Sequence, residues 1–86
     1  MPEISRFYGI VIRMFYEDHS PPHFHASYGD DQGIIDIRSL SLIAGSLPPR
    51  ALGLVIEWGA QNREDLLAVW GEMRQLKPPR RIAPLP

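Results

Sequence analysis

Every histidine in the chain lies in one stretch, Glu17-Asp18-His19-Ser20-Pro21-Pro22-His23-Phe24-His25. Histidine changes charge near neutral pH and is the commonest metal ligand, so three within seven positions concentrate that chemistry. Pro21 and Pro22 fix φ and remove two backbone donors, which makes the chain there extended or turning. The following residues, 23–28, read as a strand. Side chains two apart in a strand share a face, so His23 and His25 point one way and Phe24 the other. His19 lies across the proline turn, and spacing does not fix whether it joins them. Histidines beside a turn are also ordinary hydrogen-bonded rim residues, and a His-x-His spacing alone does not exclude that role.

Four chemistries can be drawn from these residues. A metal site of His23 and His25 with His19 or Asp18 is stereochemically reasonable, and imidazole favours Zn²⁺ or Ni²⁺. Acid–base cleavage of RNA would use His23 and His25 as the proton acceptor and donor, with Arg13 or Arg6 steadying the phosphate. A Ser/His/Asp arrangement from Ser20 or Ser27, a histidine and Asp18 lacks a sharp nucleophile turn and an oxyanion hole. The fourth reading is an interface, in which the histidine face and aromatics such as Tyr8, Tyr16 and Tyr28 bind a partner. Gly29 and Gly33 are isolated, so there is no phosphate-cradling glycine loop.

Composition narrows the setting. With 86 residues the chain builds one core. It has no cysteine, so disulfides and thiolate zinc sites are excluded and a metal would need His, Asp or Glu. That usage fits a reducing cytoplasm. No basic-then-apolar leader opens the sequence, and the longest apolar run is far short of a membrane span. The net charge of −1 gives no overall attraction to nucleic acid. Charge is unevenly spread: Glu3, Glu17, Asp18, Asp30, Asp31 and Asp36 precede the middle, while Arg74, Lys77, Arg80 and Arg81 close the chain. The closing run reads as a solvated tail, or as a basic arm for an acidic partner or RNA.

The elements that must hold the histidines follow from periodicity. Residues 7–16 are β-branched and aromatic on both faces, which predicts a central strand with Gly9 as a bulge or a close backbone contact. Arg13 interrupts it and, if buried, needs Asp36 or Glu57 as a partner. Strands at about 23–28 and 33–38 follow, with Gly29-Asp30-Asp31 as the turn between them, and residues 40–44 form a short fourth strand or edge. Leu47-Pro48-Pro49-Arg50 starts a helix. Its residues Ala51, Leu52, Leu54, Val55, Ile56 and Trp58 make it largely buried. Gly59 and Asn62 suggest a stop and a new N-cap, although one kinked helix over residues 49–76 is also consistent. Leu66, Leu67, Val69, Trp70 and Met73 give a second helical stripe. The expected fold is α+β: an antiparallel meander of three to four strands, then two helices on one sheet face burying Leu52, Val55, Ile56, Leu66 and Trp70. Residues 1–77 form the domain, and 78–86 an extended, proline-rich basic tail outside the core. A homodimer would cover the other sheet face or an edge strand.

The whole chain resembles a family of small bacterial proteins catalogued as domain of unknown function 4160. The resemblance is carried by Met1-Pro2-Glu3-Ile4-Ser5-Arg6-Phe7-Tyr8-Gly9-Ile10, Asp18-His19-Ser20-Pro21-Pro22-His23-Phe24-His25-Ala26, Leu47-Pro48-Pro49-Arg50-Ala51-Leu52, Glu57-Trp58, Asp65-Leu66-Leu67 and Trp70. Phe-Tyr-Gly-Ile followed by Pro-Pro-His-Phe-His is its specific part. The resemblance implies no established activity. It implies one half of a two-gene, toxin–antitoxin-like operon, and hence a partner-binding or regulatory module whose partner is encoded next to it. It adds weight to His23 and His25 and, less strongly, to Glu57 and Trp58. Gly53 and Gly59 stand where relatives tend to carry helix formers, which predicts a looser or broken first helix. The binding residues expected are thus His19, His23, His25, Tyr16 and Glu57.

Overall fold

The computed structural model describes residues 2–86. Five strands come first, β1 (Glu3–Phe7), β2 (Ile10–Arg13), β3 (His23–Tyr28), β4 (Asp31–Asp36) and β5 (Leu42–Gly45), then α1 (Pro49–Gln61) and α2 (Arg63–Arg74). The strands form one antiparallel sheet in the order of the sequence. The architecture is the α+β meander with two following helices, with five strands in place of three or four.

The extra strand arises where a single strand over 7–16 was expected. Phe7 pairs with Ile10, so Tyr8 and Gly9 are the two loop residues of a hairpin. Their φ values of 51° and 80° are those of a type I′ turn, which matches the right-handed twist of the flanking strands. Gly9 is therefore a turn residue and not a bulge. Tyr8 occupies a left-handed backbone position that costs an L-residue with a side chain about 1–2 kcal/mol. Hydrophobicity gave no warning, because both arms of the hairpin are equally apolar.

One sheet face carries Ile10, Ile12, Phe24, Ala26 and Ile35, all fully buried. Val55 and Trp58 of α1 belong to the same core, and the Trp58 ring lies 5.4 Å from Phe7 and 5.7 Å, edge-on, from Phe24. On α1 the buried residues are Ala51, Val55, Trp58 and Gly59. Leu52 and Ile56 flank that stripe and are only partly buried, contrary to expectation. Leu66 and Trp70 of α2 are buried as expected. Gly59 does not loosen α1, which continues to Gln61. A Cβ there would sit 2.8 Å from Leu40 Cδ2, so the glycine makes room for the Leu40 side chain of the β4–β5 connection. Among the described residues there are two helices, and not one kinked helix. Asn62 is the junction, but its side chain makes no cap and donates back to the Trp58 carbonyl.

Arg13 lies half-buried and donates to Ser27 Oγ at 3.3 Å. Neither Asp36 nor Glu57 pairs with it. Asp36 instead accepts backbone N–H groups of Arg38 and Ser39. The Ser39 amide is the main reason its carboxyl titrates below the usual range.

The tail is extended, as expected, but it docks. Ile82 and Leu85 are buried in the core, Ile82 N–H donates to the Ile4 carbonyl of β1, and the Trp58 indole donates to the Ala83 carbonyl at 2.9 Å. Arg81 pairs with Glu3 at 3.0 Å. The expectation of a tail outside the core fails because 82 and 85 are apolar positions hidden among prolines and arginines, too few to show a period. Hydrogen bonds from Arg6 and then Arg81 hold the Glu3 carboxyl down to about 2.

Ile82→Ala should cost about 2–4 kcal/mol in a urea titration, and Leu52→Ala less, because that side chain is only partly buried at the edge of the core. Glu3 has a depressed folded pKa. Its contribution is complete above the carboxyl's ordinary 4.5 and is lost as pH falls through about 2. Acid titration followed at the tail amides should show this pair failing late.

Candidate functional site

The proline turn carries the chain from β2 back to the first residue of β3, and three of its flanking residues converge. The ligand-type atoms of Asp18, His23 and His25 all lie within 4.8 Å of one another. Asp18 Oδ2 stands 3.2 Å from His25 Nε2 and 3.5 Å from His23 Nε2. All three side chains are largely buried, with 11–16% of their surface exposed. The imidazoles share one side of β3, as alternation requires, with ring centroids 5.4 Å apart. Phe24 between them is fully buried in the core.

Each member has its own support. His23 Nδ1 lies 2.7 Å from the Pro21 carbonyl; a carbonyl only accepts, so Nδ1 carries the proton. The His23 ring packs 5.2 Å from Trp70, and the His25 ring meets the edge of Phe15 at 4.7 Å. Asp18 Oδ2 also accepts the Phe15 N–H at 3.2 Å. The loop itself is held by Arg74 of α2. Its guanidinium donates to the carbonyls of Phe15, at 2.8 Å, Tyr16, at 2.9 Å, and Asp18, and it stacks 4.3 Å above the Trp70 ring.

The protonation of His23 has a consequence. A neutral His23 with its proton on Nδ1 presents a bare Nε2 lone pair to a carboxylate oxygen 3.5 Å away. Two acceptors facing each other across that gap repel unless a cation, either a proton or a metal ion, lies between them. The cluster can therefore hold a metal through two nitrogens and one oxygen, or work as a proton-sharing group.

A family model described as Domain of unknown function (DUF4160) matches residues 9–71, well over half of the chain. The chain belongs to that family. No curated protein and no solved structure matches it. In this DUF4160 member the matched span contains the cluster but stops short of Arg74, which supports the cluster from outside it.

The other sequence candidates fall elsewhere. His19 is exposed beside Asp18 and is not one of the cluster's three residues. Tyr16 donates its hydroxyl to the Lys77 carbonyl, while its own carbonyl is one of those bound by Arg74. Glu57 is exposed on α1. Of the two arginines suggested for phosphate, Arg13 stands directly across from His25 in the β2–β3 pairing and donates to Ser27 Oγ, while Arg6 is paired with Glu3. Arg74 went unrecognised in the sequence, where it read as one of the closing bases. The Trp70–Arg74 spacing of four was the available signal, because residues at i and i+4 stack on a helix.

Arg74→Lys should not substitute, since one ammonium cannot reach three carbonyls from a planar fork. We expect a loss of about 1–3 kcal/mol by denaturant unfolding, with faster amide exchange concentrated at residues 15–18.

Proposed function

We propose that the chain is a small transition-metal-binding domain, with Zn²⁺ held by Asp18, His23 and His25. The observation that carries this reading is the convergence of the ligand-type atoms of Asp18, His23 and His25 within 4.8 Å of one another. Zinc binds imidazole nitrogen and carboxylate oxygen at about 2.0–2.2 Å, which sets tetrahedral ligand atoms roughly 3.3–3.6 Å apart. The gaps of 3.2 and 3.5 Å at Asp18 Oδ2 need little adjustment. The Nδ1–H to Pro21 carbonyl bond is the outer-shell contact that orients a ligating histidine. Nickel suits the same donors. Three protein ligands leave a fourth position for water or for a group from a partner.

A second reading, partner binding within a two-gene, toxin–antitoxin-like bacterial operon in the cytoplasm, draws on exposed aromatic surface. Tyr8, Tyr16 and Tyr28 are 59%, 38% and 40% exposed. Acid–base cleavage of RNA has less support, because Arg6 is paired with Glu3 and Arg13 donates to Ser27.

Calorimetry at pH 7.5 should find one zinc per chain, abolished in the His23→Ala/His25→Ala double variant. Protons compete for the nitrogens, so affinity should fall as pH drops through the ordinary histidine pKa of about 6.5. Zinc should raise the melting temperature at pH 7.5 and much less at pH 5.5. Absence of zinc and nickel binding at pH 7.5 rejects the metal reading. Co-expression with the adjacent gene tests the second: a stable complex supports it. RNA cleavage by the free protein, lost in His23→Ala, would favour the acid–base alternative.

A further inference from the structure

Away from the histidines, a groove of about 360 Å³ is lined by Tyr8, Tyr28, Pro48, Arg50, Ala51 and Leu54. Tyr8 of the β1–β2 turn and Tyr28 at the end of β3 supply one wall, and the first turns of α1 the other. Its aromatic residues are exposed yet held. Tyr8 stands on the left-handed turn position, where asparagine or glycine would be less strained, and its hydroxyl donates to the Pro86 carbonyl at 2.7 Å. Tyr28 rests on the hairpin turn, with its ring over Gly9. Two large amphipathic rings fixed before binding lower the ordering cost that an interface must meet.

Charge and shape narrow the occupant. Arg50 makes no ion pair among the described residues, and the first turn of α1 carries no acidic residue. Its positive charge is therefore unopposed at an apolar cleft. One free cation is too few for nucleic acid, whose binding depends on neutralising several phosphates. The chain's own tail already meets one of these rings: the Tyr8 hydroxyl donates to the Pro86 carbonyl, at the end of Pro84-Leu85-Pro86. Extended proline segments leave their carbonyls free and their rings stacked for tyrosine-lined grooves.

We propose that this groove docks an extended, proline-containing segment of a partner protein that carries a carboxylate beside its prolines. The prolines lie on Tyr8, Tyr28 and Pro48, and the carboxylate meets Arg50. The proposal rests on the partner-binding reading and is independent of the metal site.

The test uses the full chain and three blocked peptides: Glu-Pro-Pro-Leu-Pro, the same with lysine for glutamate, and the same with alanine for each proline. Amide shifts under titration should be saturable with the first peptide and centred on Tyr8, Tyr28, Arg50 and Leu54. Arg50→Glu should weaken it about tenfold or more and improve the lysine peptide, a reversal that loss of folding cannot produce. Tyr28→Ala should weaken it as well, while His23→Ala should not. Equal binding of all three peptides, absence of saturable shifts, or shifts centred on the histidines overturns the proposal. Concentration-dependent self-association with shifts at the groove also overturns it, naming a second copy as the occupant. If the neighbouring gene's product covers the groove but the peptide does not bind, the partner reading stands and this chemistry fails.

Discussion

The candidate site depends on one cation placed far from it in sequence. Arg74 reaches from the last turn of α2 to three carbonyls of the loop that follows β2. A loop of this kind has no ladder partner for its backbone, and carbonyls withdrawn from water need donors. The guanidinium supplies them in one plane while resting on Trp70, whose ring also packs on His23. Asp18 is thereby delivered to the imidazoles by an arginine that never touches its carboxylate. The cost is local: Arg74 Nε is buried without a partner.

Sheet and site share the same alternation. Phe24 enters the core against Trp58, and that contact obliges His23 and His25 to the other side, since a register slip of one residue would exchange them. The two-residue hairpin of Tyr8 and Gly9 sets the register of β2, and β2 sets that of β3 through Arg13 opposite His25. The geometry of the cluster is thus tied to the hydrophobic core, and not to the proline turn alone.

The tail closes the structure along β1. It lies beside β1 and satisfies the Trp58 indole, so the first strand, the first helix and the last residues form one packed unit. In a domain this small, two additional buried aliphatic side chains are a sizeable fraction of the core. The same docking brings Pro86 to Tyr8, at the rim of the groove beside α1.

The sequence alone determined the order and kind of the elements wherever a period or a breaker was present. β3 was legible at residues 23–28 from alternation after two prolines, and the two helices from their apolar stripes. The pairing of His23 with His25 followed from the spacing of two. The meander was legible because short polar turns leave antiparallel pairing as the only economical connection. Tertiary structure decided what period cannot encode. The Tyr8–Gly9 hairpin was invisible because both its arms are apolar. Asp18, and not His19, joined the histidines because the path of a loop depends on what grips its carbonyls. Arg74 and Ile82 looked like solvated tail residues because their partners, 56 or more residues away along the chain, exist only once the chain has folded back.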